Sequence, residues 1–365
     1  MLKAFKYRLY PTKEQQEYFS KCFGCVRFLY NQMLANRIEL YEAYKHDKEL
    51  LKANKPRTYT SFKKDFPFLK EVDNLALANA QLNLNKAYKK YFKEGSGFPK
   101  FKSKKRSRKS YTTNNQGGNI RIEGNAIKLP KIGFVKVRQH RLFDGLIKSC
   151  TISQTPTGKY YVSVLVEMED VEWIPAKNKI GIDLGLTDFA VTTNDDGISE
   201  KHPNPRHLRK AEKQLKKAQR ALSRKKIGSR NREKARLALA KKHEKVANQR
   251  KDFLHKLTDR ITSENQVIVI ETLKTSNLLK NRKLSKSIAD AGWHEFIRQL
   301  EYKSAWRGRT VIKADQWYAS TQLCSHCGSN GGKKPLDVRT WICAECGTVH
   351  DRDINASRNL LKLAN

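Results

Sequence analysis

The chain is short of acid. Its 365 residues hold 36 Asp or Glu against 74 Lys or Arg, a formal net charge of +38. That excess is too large to serve solubility alone and favours a polyanionic partner, nucleic acid before membrane. Long apolar runs are missing too. No stretch approaches the roughly 20 residues that a helical membrane span needs. The opening MLKAFKYRLYP has no apolar signal-peptide core and reads as an alternating strand, with Phe5, Tyr7 and Leu9 on one face. The expected location is therefore cytoplasmic and reducing, with no membrane partner. Cysteine is scarce at seven residues, and four of them sit at metal-ligand spacing, which fits that compartment better than disulfides do. No internal repeat is visible.

The residues from Cys324 onward are the most informative. Cys324, Cys327, Cys343 and Cys346 form two Cys-x-x-Cys-Gly pairs with fifteen residues between them. This is the spacing of a four-thiolate zinc site, with Gly328 and Gly347 letting the backbone turn around the metal. Four thiolates saturate tetrahedral zinc, so the site is structural and offers no open position. His326 and His350 could replace a cysteine, but nothing requires it. Asp353 follows Cys346 by seven residues and begins a short helical pattern, with Asp351 as its N-cap.

Thr12 opens a helix as N-cap, with Gln15 as capping-box partner. Its apolar face runs through Tyr18, Phe19, Cys22, Val26, Leu29 and Met33, which makes the Cys22–Cys25 pair core residues and not a second metal site. Helical pattern continues to about Phe92. Short alternating runs over residues 120–166 then predict a β-barrel or sheet module. KIGIDLGLTDFAVTTNDDG predicts a strand hairpin, residues 208–257 a helical hairpin broken at Ile227-Gly228-Ser229, and QVIVIETL a strand buried on both faces. The alternation of strands and helices is an α/β layout.

Three carboxylates stand out. Asp183 lies on the face of its strand opposite Ile180, Ile182 and Leu184, between Gly181 and Gly185, a gap that leaves room for a bulky group. Glu271 ends the buried strand, where open α/β sheets place ligands and where an unpaired acid is costly. Asp353 completes the set, with Asp351 as its rival for the role. Acids without His or Cys partners suit hard cations. Two Mg²⁺ ions about 4 Å apart are the standard means of phosphodiester hydrolysis.

Two segments carry most of the positive charge. Residues 86–109 hold eleven Lys or Arg, one acid and the interleaved aromatics Tyr88, Tyr91, Phe92, Phe98 and Phe101. Residues 201–250 hold nineteen Lys or Arg against three acids. Cations bind phosphates and aromatics stack bases, so both segments indicate affinity without sequence reading.

IGIDLG with Asp183, IET with Glu271, CSHCG…WICAECG and HDRDINAS with Asp353 resemble the RuvC-type nuclease of TnpB proteins, transposon-encoded RNA-guided DNA endonucleases related to type V CRISPR effectors. RLYPTKEQ, VRFLYNQML, GFPKFKSKK, IKLPKIGFVKV and SKSIADAGWHEFIRQLEYKSAWRGR extend the resemblance over nearly the whole chain. The fold it implies is α/β and β multi-domain: an RNase H-like (RuvC) nuclease with an inserted zinc ribbon, a wedge β-barrel and a helical recognition domain. The implied boundaries are 1–10 and 110–176 for the wedge, 11–109 for the recognition domain, 177–323 and 347–365 for the nuclease, and 324–346 for the zinc ribbon.

The resemblance also implies an activity: Mg²⁺-dependent DNA cleavage by Asp183, Glu271 and Asp353 as two-metal ligands. Zinc would sit on Cys324, Cys327, Cys343 and Cys346. A guide RNA from the transposon end would pair with double-stranded target DNA, while a monomeric, nucleoid-associated protein reads a short flanking motif. Tyr59, Asn74, Ala78 and Gln116 fall at positions of that motif-reading surface, with Lys100, Lys102, Lys104 and Lys105 as further nucleic-acid contacts. Asn74, Leu75 and Ala78 depart from the family's pattern and Gln116 and Gly117 fall at the loop positions of that surface, so the motif is not expected to transfer from a relative. The chain stops at Asn365 without the extended tail of some relatives, and no loss of chemistry is expected from that. Two other readings stand beside this one: a nuclease-silent, guide-dependent DNA-binding repressor, and a transposase that joins DNA strands directly, which shares the fold and acidic triad.

Overall fold

A computed structural model describes every residue except 171, 172, 336 and 365. The expected wedge segment at 171–172, one position of the expected zinc ribbon and the last residue therefore lie outside the described residues. The chain divides into two compact units, Met1–Asp170 and Val171–Asn365.

The first unit begins with β1 (Leu2–Tyr10) and a 32-residue helix α1 (Lys13–Tyr44), which starts at Thr12 with the expected capping box. Short helices α2 (Lys48–Ala53) and α3 (Tyr59–Asp65), a 3-10 turn over Pro67–Glu71 and α4 (Asn74–Glu94) follow. Gly95 stops α4 in the left-handed region at φ 61°, where glycine is favoured. Six strands complete the unit: β2 (Lys109–Asn114), β3 (Arg121–Glu123), β4 (Ala126–Leu129), β5 (Gly133–Arg138), β6 (Leu146–Gln154) and β7 (Tyr160–Glu167). They join β1 in one antiparallel sheet of order β2-β6-β7-β1-β5-β4-β3. The expected barrel is thus a seven-stranded sheet with no pairing between its end strands β2 and β3 among the described residues. Period-two alternation turns Phe5, Tyr7, Leu9, Val162 and Val164 into a core that also receives Phe19, Cys22, Leu29 and Met33 of α1 and Leu77 and Leu84 of α4. Cys22 and Cys25 are buried there, as the helical face predicts.

The second unit holds β8 (Asn178–Leu184), β9 (Asp188–Asn194), β10 (Ser199–Pro203), α5 (His207–Ser223), α6 (Arg230–Glu264), β11 (Asn265–Ile270), α7 (Thr275–Leu278), α8 (Ser285–Ala291), α9 (Trp293–Trp306) and β12 (Thr310–Lys313). After these come β13 (Thr340–Ile342), β14 (Val349–Asp351), α10 (Arg352–Leu361) and a closing 3-10 turn, Lys362–Ala364. The five-stranded sheet runs β10-β9-β8-β11-β12, antiparallel through β8 and parallel from β8 to β12. Parallel neighbours need long crossovers, and α5–α6 and α7–α9 supply them. Leu254, Leu257 and Ile261 of α6 and Phe296 and Leu300 of α9 cover the face made by Ile180, Ile182, Ile268 and Ile270. The first half of α6 pairs with α5 around Leu215, Leu239 and Val246, with Leu208, Ala211, Ala218 and Leu222 packed against them, and most of the lysines and arginines of the two helices stay exposed. Helix α10 covers the opposite face of the sheet.

Candidate active site and thiolate cluster

Strand β8 presents Asp183 to the α10 face of the sheet, and Asp183 is buried. Gly181, two residues earlier, explains how the helix comes so close. A Cβ there would meet the Ser357 carbonyl oxygen at 2.1 Å and the Leu361 nitrogen at 2.6 Å. The gap read from the sequence as space for an incoming group is therefore filled by α10. Gly185 is likewise closed, because a Cβ would meet the Asp188 carbonyl oxygen at 2.6 Å in the hairpin turn. Thr193 of β9 and Ser357 of α10 share a buried hydroxyl hydrogen bond of 2.6 Å that fixes the helix across the sheet.

Glu271 follows β11 directly. Its Oε1 accepts the Leu184 backbone N–H at 2.8 Å, which ties the end of β11 to the end of β8. Burial pushes the Glu271 carboxyl up to about 7, against the lowering effect of that bond. Burial, then the charges of Glu271 and Asp353, push Asp183 well above the ordinary carboxylate range, with Arg352 opposing. Three distant segments thus bring three like charges within electrostatic reach of one another.

Asp353 and Asp351 divide the work at the start of α10. Asp351 is the N-cap, accepting the N–H groups of Asp353 and Ile354 at 3.1 Å each, and its other oxygen pairs with Lys201 of β10 at 2.6 Å. Burial works against its charge, yet Lys201 and the two N–H groups hold it below the ordinary carboxylate range. Asp351 is therefore engaged in capping, whereas the charge of Asp353 acts on Asp183 and its carboxylate lies 3.4 Å from the Arg339 guanidinium. A buried carboxylate whose proton affinity two neighbouring carboxylates raise has the donor chemistry of a hard divalent-cation site.

The four cysteines meet as their spacing predicts. Their sulfurs all lie within 4.8 Å of one another, and among the described residues this is the one group of three or more metal-type donors gathered so tightly. The Cys324–Cys346 and Cys327–Cys343 sulfurs are 3.7 and 3.6 Å apart. The edge of a tetrahedron with Zn–S bonds of 2.3 Å is about 3.8 Å, so the cluster fits a zinc ribbon. Both turns close by a glycine N–H onto the first cysteine's carbonyl, Gly328 to Cys324 and Gly347 to Cys343, each at 2.9 Å. Both glycines have positive φ, 81° and 69°. The Ser329 hydroxyl, then nearby backbone N–H groups, draw the Cys343 thiol down to about 6. His350 is not in the ring of thiols; its Nε2 lies 3.0 Å from the Cys324 sulfur and its ring lies on Trp341.

The expected nucleic-acid contacts are less uniform. Lys100, Lys104 and Lys105 are exposed. Lys102 is not free: its ammonium sits 3.7 Å from the Tyr30 ring centre and its backbone is held by Asn31 at both ends. Tyr59 is half-buried at the start of α3, Asn74 accepts from Lys63 at 2.8 Å, Ala78 is half-buried on α4, and Gln116 is exposed in the turn after β2. Sequence reading missed a cavity of about 330 Å³ in the first unit, lined by Arg27, Asn79, Asn83, Lys102, Arg108 and Lys109 among others. Its signal was Asn79 and Asn83, polar at i and i+4 beside the buried Ala76, Ala80 and Leu84 of α4.

Three family models match: "Probable transposase" over residues 163–282, "Cas12f1-like, TNB domain" over 293–360, and "Helix-turn-helix domain" over 1–46. The last is a name only for this chain, since residues 1–46 form β1 and the single helix α1. A protein of Streptomyces pristinaespiralis named "Putative RNA-guided DNA endonuclease" is 40% identical over 98% of this chain and 88% of its own length. The Escherichia coli (strain K12) protein "Putative RNA-guided DNA endonuclease InsQ" is 33% identical over 99% and 92%. "TnpB-like protein L79" of Acanthamoeba polyphaga mimivirus is 23% identical over 98% and 72%. A solved structure, "Cryo-EM structure of the Cas12f1-sgRNA-target DNA complex", shares the fold at a TM-score of 0.64 and 13% identity, over 99% of this chain and 98% of that one. Full-length identity to the first two relatives, carried on this multi-domain fold with its thiolate ribbon, makes the chain a member of the TnpB family.

Proposed function

We propose that this chain is an RNA-guided DNA endonuclease that hydrolyses phosphodiester bonds at Asp183, Glu271 and Asp353. The supporting observation is the buried Asp183 on β8, with Glu271 tied to the end of the same strand through the Leu184 N–H and Asp353 at the start of the helix that crosses it, both close enough for their charges to act on Asp183. Its relatives are named as RNA-guided DNA endonucleases, and the charge of +38 suits a protein that holds RNA and DNA together. The guide is an RNA from the transposon end and the target a double-stranded DNA. The protein works as a monomer at the nucleoid; among the described residues no helix is long and apolar enough to cross a membrane.

The three acids hold Mg²⁺. Bound divalent ions would supply charge stabilisation at the phosphoryl oxygens and an activated water. The chain supplies position. The Leu184 N–H fixes one oxygen of Glu271, Gly181 lets α10 reach the sheet, and the Asp351 cap with Lys201 sets the start of the helix that carries Asp353. Cys324, Cys327, Cys343 and Cys346 hold a structural zinc that closes the segment before α10. All three acids are present, which weighs against a nuclease-silent repressor.

Expressing the chain with its flanking DNA and sequencing the co-purifying RNA identifies the guide. Asp183→Ala should then lose Mg²⁺-dependent cleavage, by about 10³-fold or more, while guide and target binding persist. Cleavage that survives the substitution removes the triad, and joined instead of hydrolysed products would assign the strand-transfer activity.

A further inference from the structure

We propose that Asn355 and Asn359 are positioning residues: they couple the thiolate cluster to Asp353 and so set the place of that carboxylate. The inference rests on the reading of Asp353 as a cation ligand. Both side chains lie on one face of α10, one turn apart, and are 1% and 2% exposed. Asn355 Oδ1 accepts the Ser325 N–H at 2.8 Å, and its Nδ2 donates to the Leu323 carbonyl at 2.8 Å. Asn359 Nδ2 donates to the same Leu323 carbonyl at 2.7 Å and to that of Ser320 at 2.8 Å. Leu323 and Ser325 are the two neighbours of Cys324. Two buried amides on α10 therefore hold the backbone on both sides of the first thiolate ligand, two and six residues beyond Asp353.

Helix formation does not ask for asparagine at these positions, because asparagine is a weak helix former and its buried amide is costly unless bonded. The bonds give the residues their purpose. On its other side α10 is fixed by the Thr193–Ser357 hydroxyl pair and by the close approach at Gly181. The amides thus govern the remaining freedom, a slide or tilt of the helix relative to the cluster. A catalytic group must be held within about 0.5 Å of its working position, and a displacement of about 1 Å costs about 10²-fold.

The test uses the full chain with its guide. Asn355→Ala and Asn359→Ala are compared with Asp353→Asn by three measurements: zinc per chain, Mn²⁺ affinity without DNA by electron paramagnetic resonance, and single-turnover cleavage. The coupling predicts that Asn355→Ala keeps one zinc and full target binding, binds Mn²⁺ about tenfold more weakly, and cleaves about 10²-fold more slowly. Excess Mn²⁺ recovers part of that rate. Asn359→Ala loses less, because Asn355 Nδ2 also reaches both of its acceptors, the Leu323 carbonyl at 2.8 Å and the Ser320 carbonyl at 3.4 Å. If Asn355→Ala does not fold, Asn355→Ser removes both amide bonds without burying a charge and should show the same loss. Unchanged Mn²⁺ affinity and rate in a folded Asn355 variant, with both lost in Asp353→Asn, overturns the coupling alone. Retention of both in Asp353→Asn overturns the ligand reading and the coupling with it.

Discussion

Asp183 is held against its own charge. Buried in β8 and facing Glu271 and Asp353, its carboxyl takes up a proton far more readily in the folded chain than in the unfolded one. A carboxyl with a raised folded-state pKa stabilises the fold at low pH, and that contribution is lost as pH rises from its unfolded value of about 3.9 upward. The metal-free protein near neutral pH therefore carries a buried acid whose charged form is disfavoured, at the place where the proposed catalysis needs that charge. Asp183→Asn keeps the shape and removes the charge. In Mg²⁺-free buffer with zinc retained, it should be more stable than wild type by roughly 1–3 kcal/mol at neutral pH, with the gap closing below about pH 4. Thermal unfolding across pH measures this, and a variant that melts below wild type at neutral pH would show that the carboxylate is satisfied by the chain itself. Asp351, two residues before Asp353, behaves oppositely: its capping bonds and Lys201 hold it below the ordinary carboxylate range. The distinction between the two aspartates was partly legible in sequence, since a short acid directly before a helix is a cap. The amides of Asn355 and Asn359 were not, because their partners Leu323 and Ser325 lie 30 to 36 residues back.

Elements, in contrast, were read well where periodicity was strong. The alternation in β1, the capping box of α1, the β8–β9 hairpin and the α5–α6 hairpin all carry local signals and fold accordingly. Strand β10 carries none: SEKHP is short, polar and at the sheet edge, and pairing with β9 alone makes it a strand. The glycines of β8 were seen but misread, because a missing side chain looks the same in sequence whether a substrate or a helix fills the space. The distances decide for the helix, and they make a prediction. Gly181→Ala drives a methyl into the α10 backbone, which unlike a side-chain tip cannot swing aside. Overpacking of this kind costs about 1–3 kcal/mol or more, and here it displaces the helix bearing Asp353. Gly181→Ala should therefore lower the melting temperature and slow cleavage about 10²-fold while guide binding stays within a few-fold. Wild-type stability and rate in this variant would mean that α10 stands farther from β8 than the structure places it.

At the scale of the whole molecule, charge is spread over both units while the candidate carboxylates and thiolates are confined to one. The carboxylates and thiolates belong to the second unit, with the basic α5–α6 hairpin; the aromatic and lysine-rich segment 86–109 belongs to the first. An excess of this size acts through released counterions, so affinity for nucleic acid should fall steeply with salt. A protein making six to ten phosphate contacts loses about 10³–10⁵ in affinity between about 50 and 200 mM salt. The slope also separates lysines that touch phosphate from those that hold the fold. Lys100, Lys104 and Lys105 are exposed, whereas the Lys102 ammonium is seated on Tyr30, where burial lowers its pKa. Replacing Lys100, Lys104 and Lys105 with Gln should flatten the plot of log affinity against log salt by up to about 0.9 per lost contact, with the melting temperature unchanged. Lys102→Gln should do the reverse, lowering stability through the lost cation–π contact, worth about 0.5–2 kcal/mol, while leaving the slope in place. Fluorescence anisotropy with a labelled guide across a salt series distinguishes the two. An unchanged slope in the triple variant would remove this segment from the nucleic-acid surface and leave the α5–α6 hairpin as the main source of the electrostatic attraction.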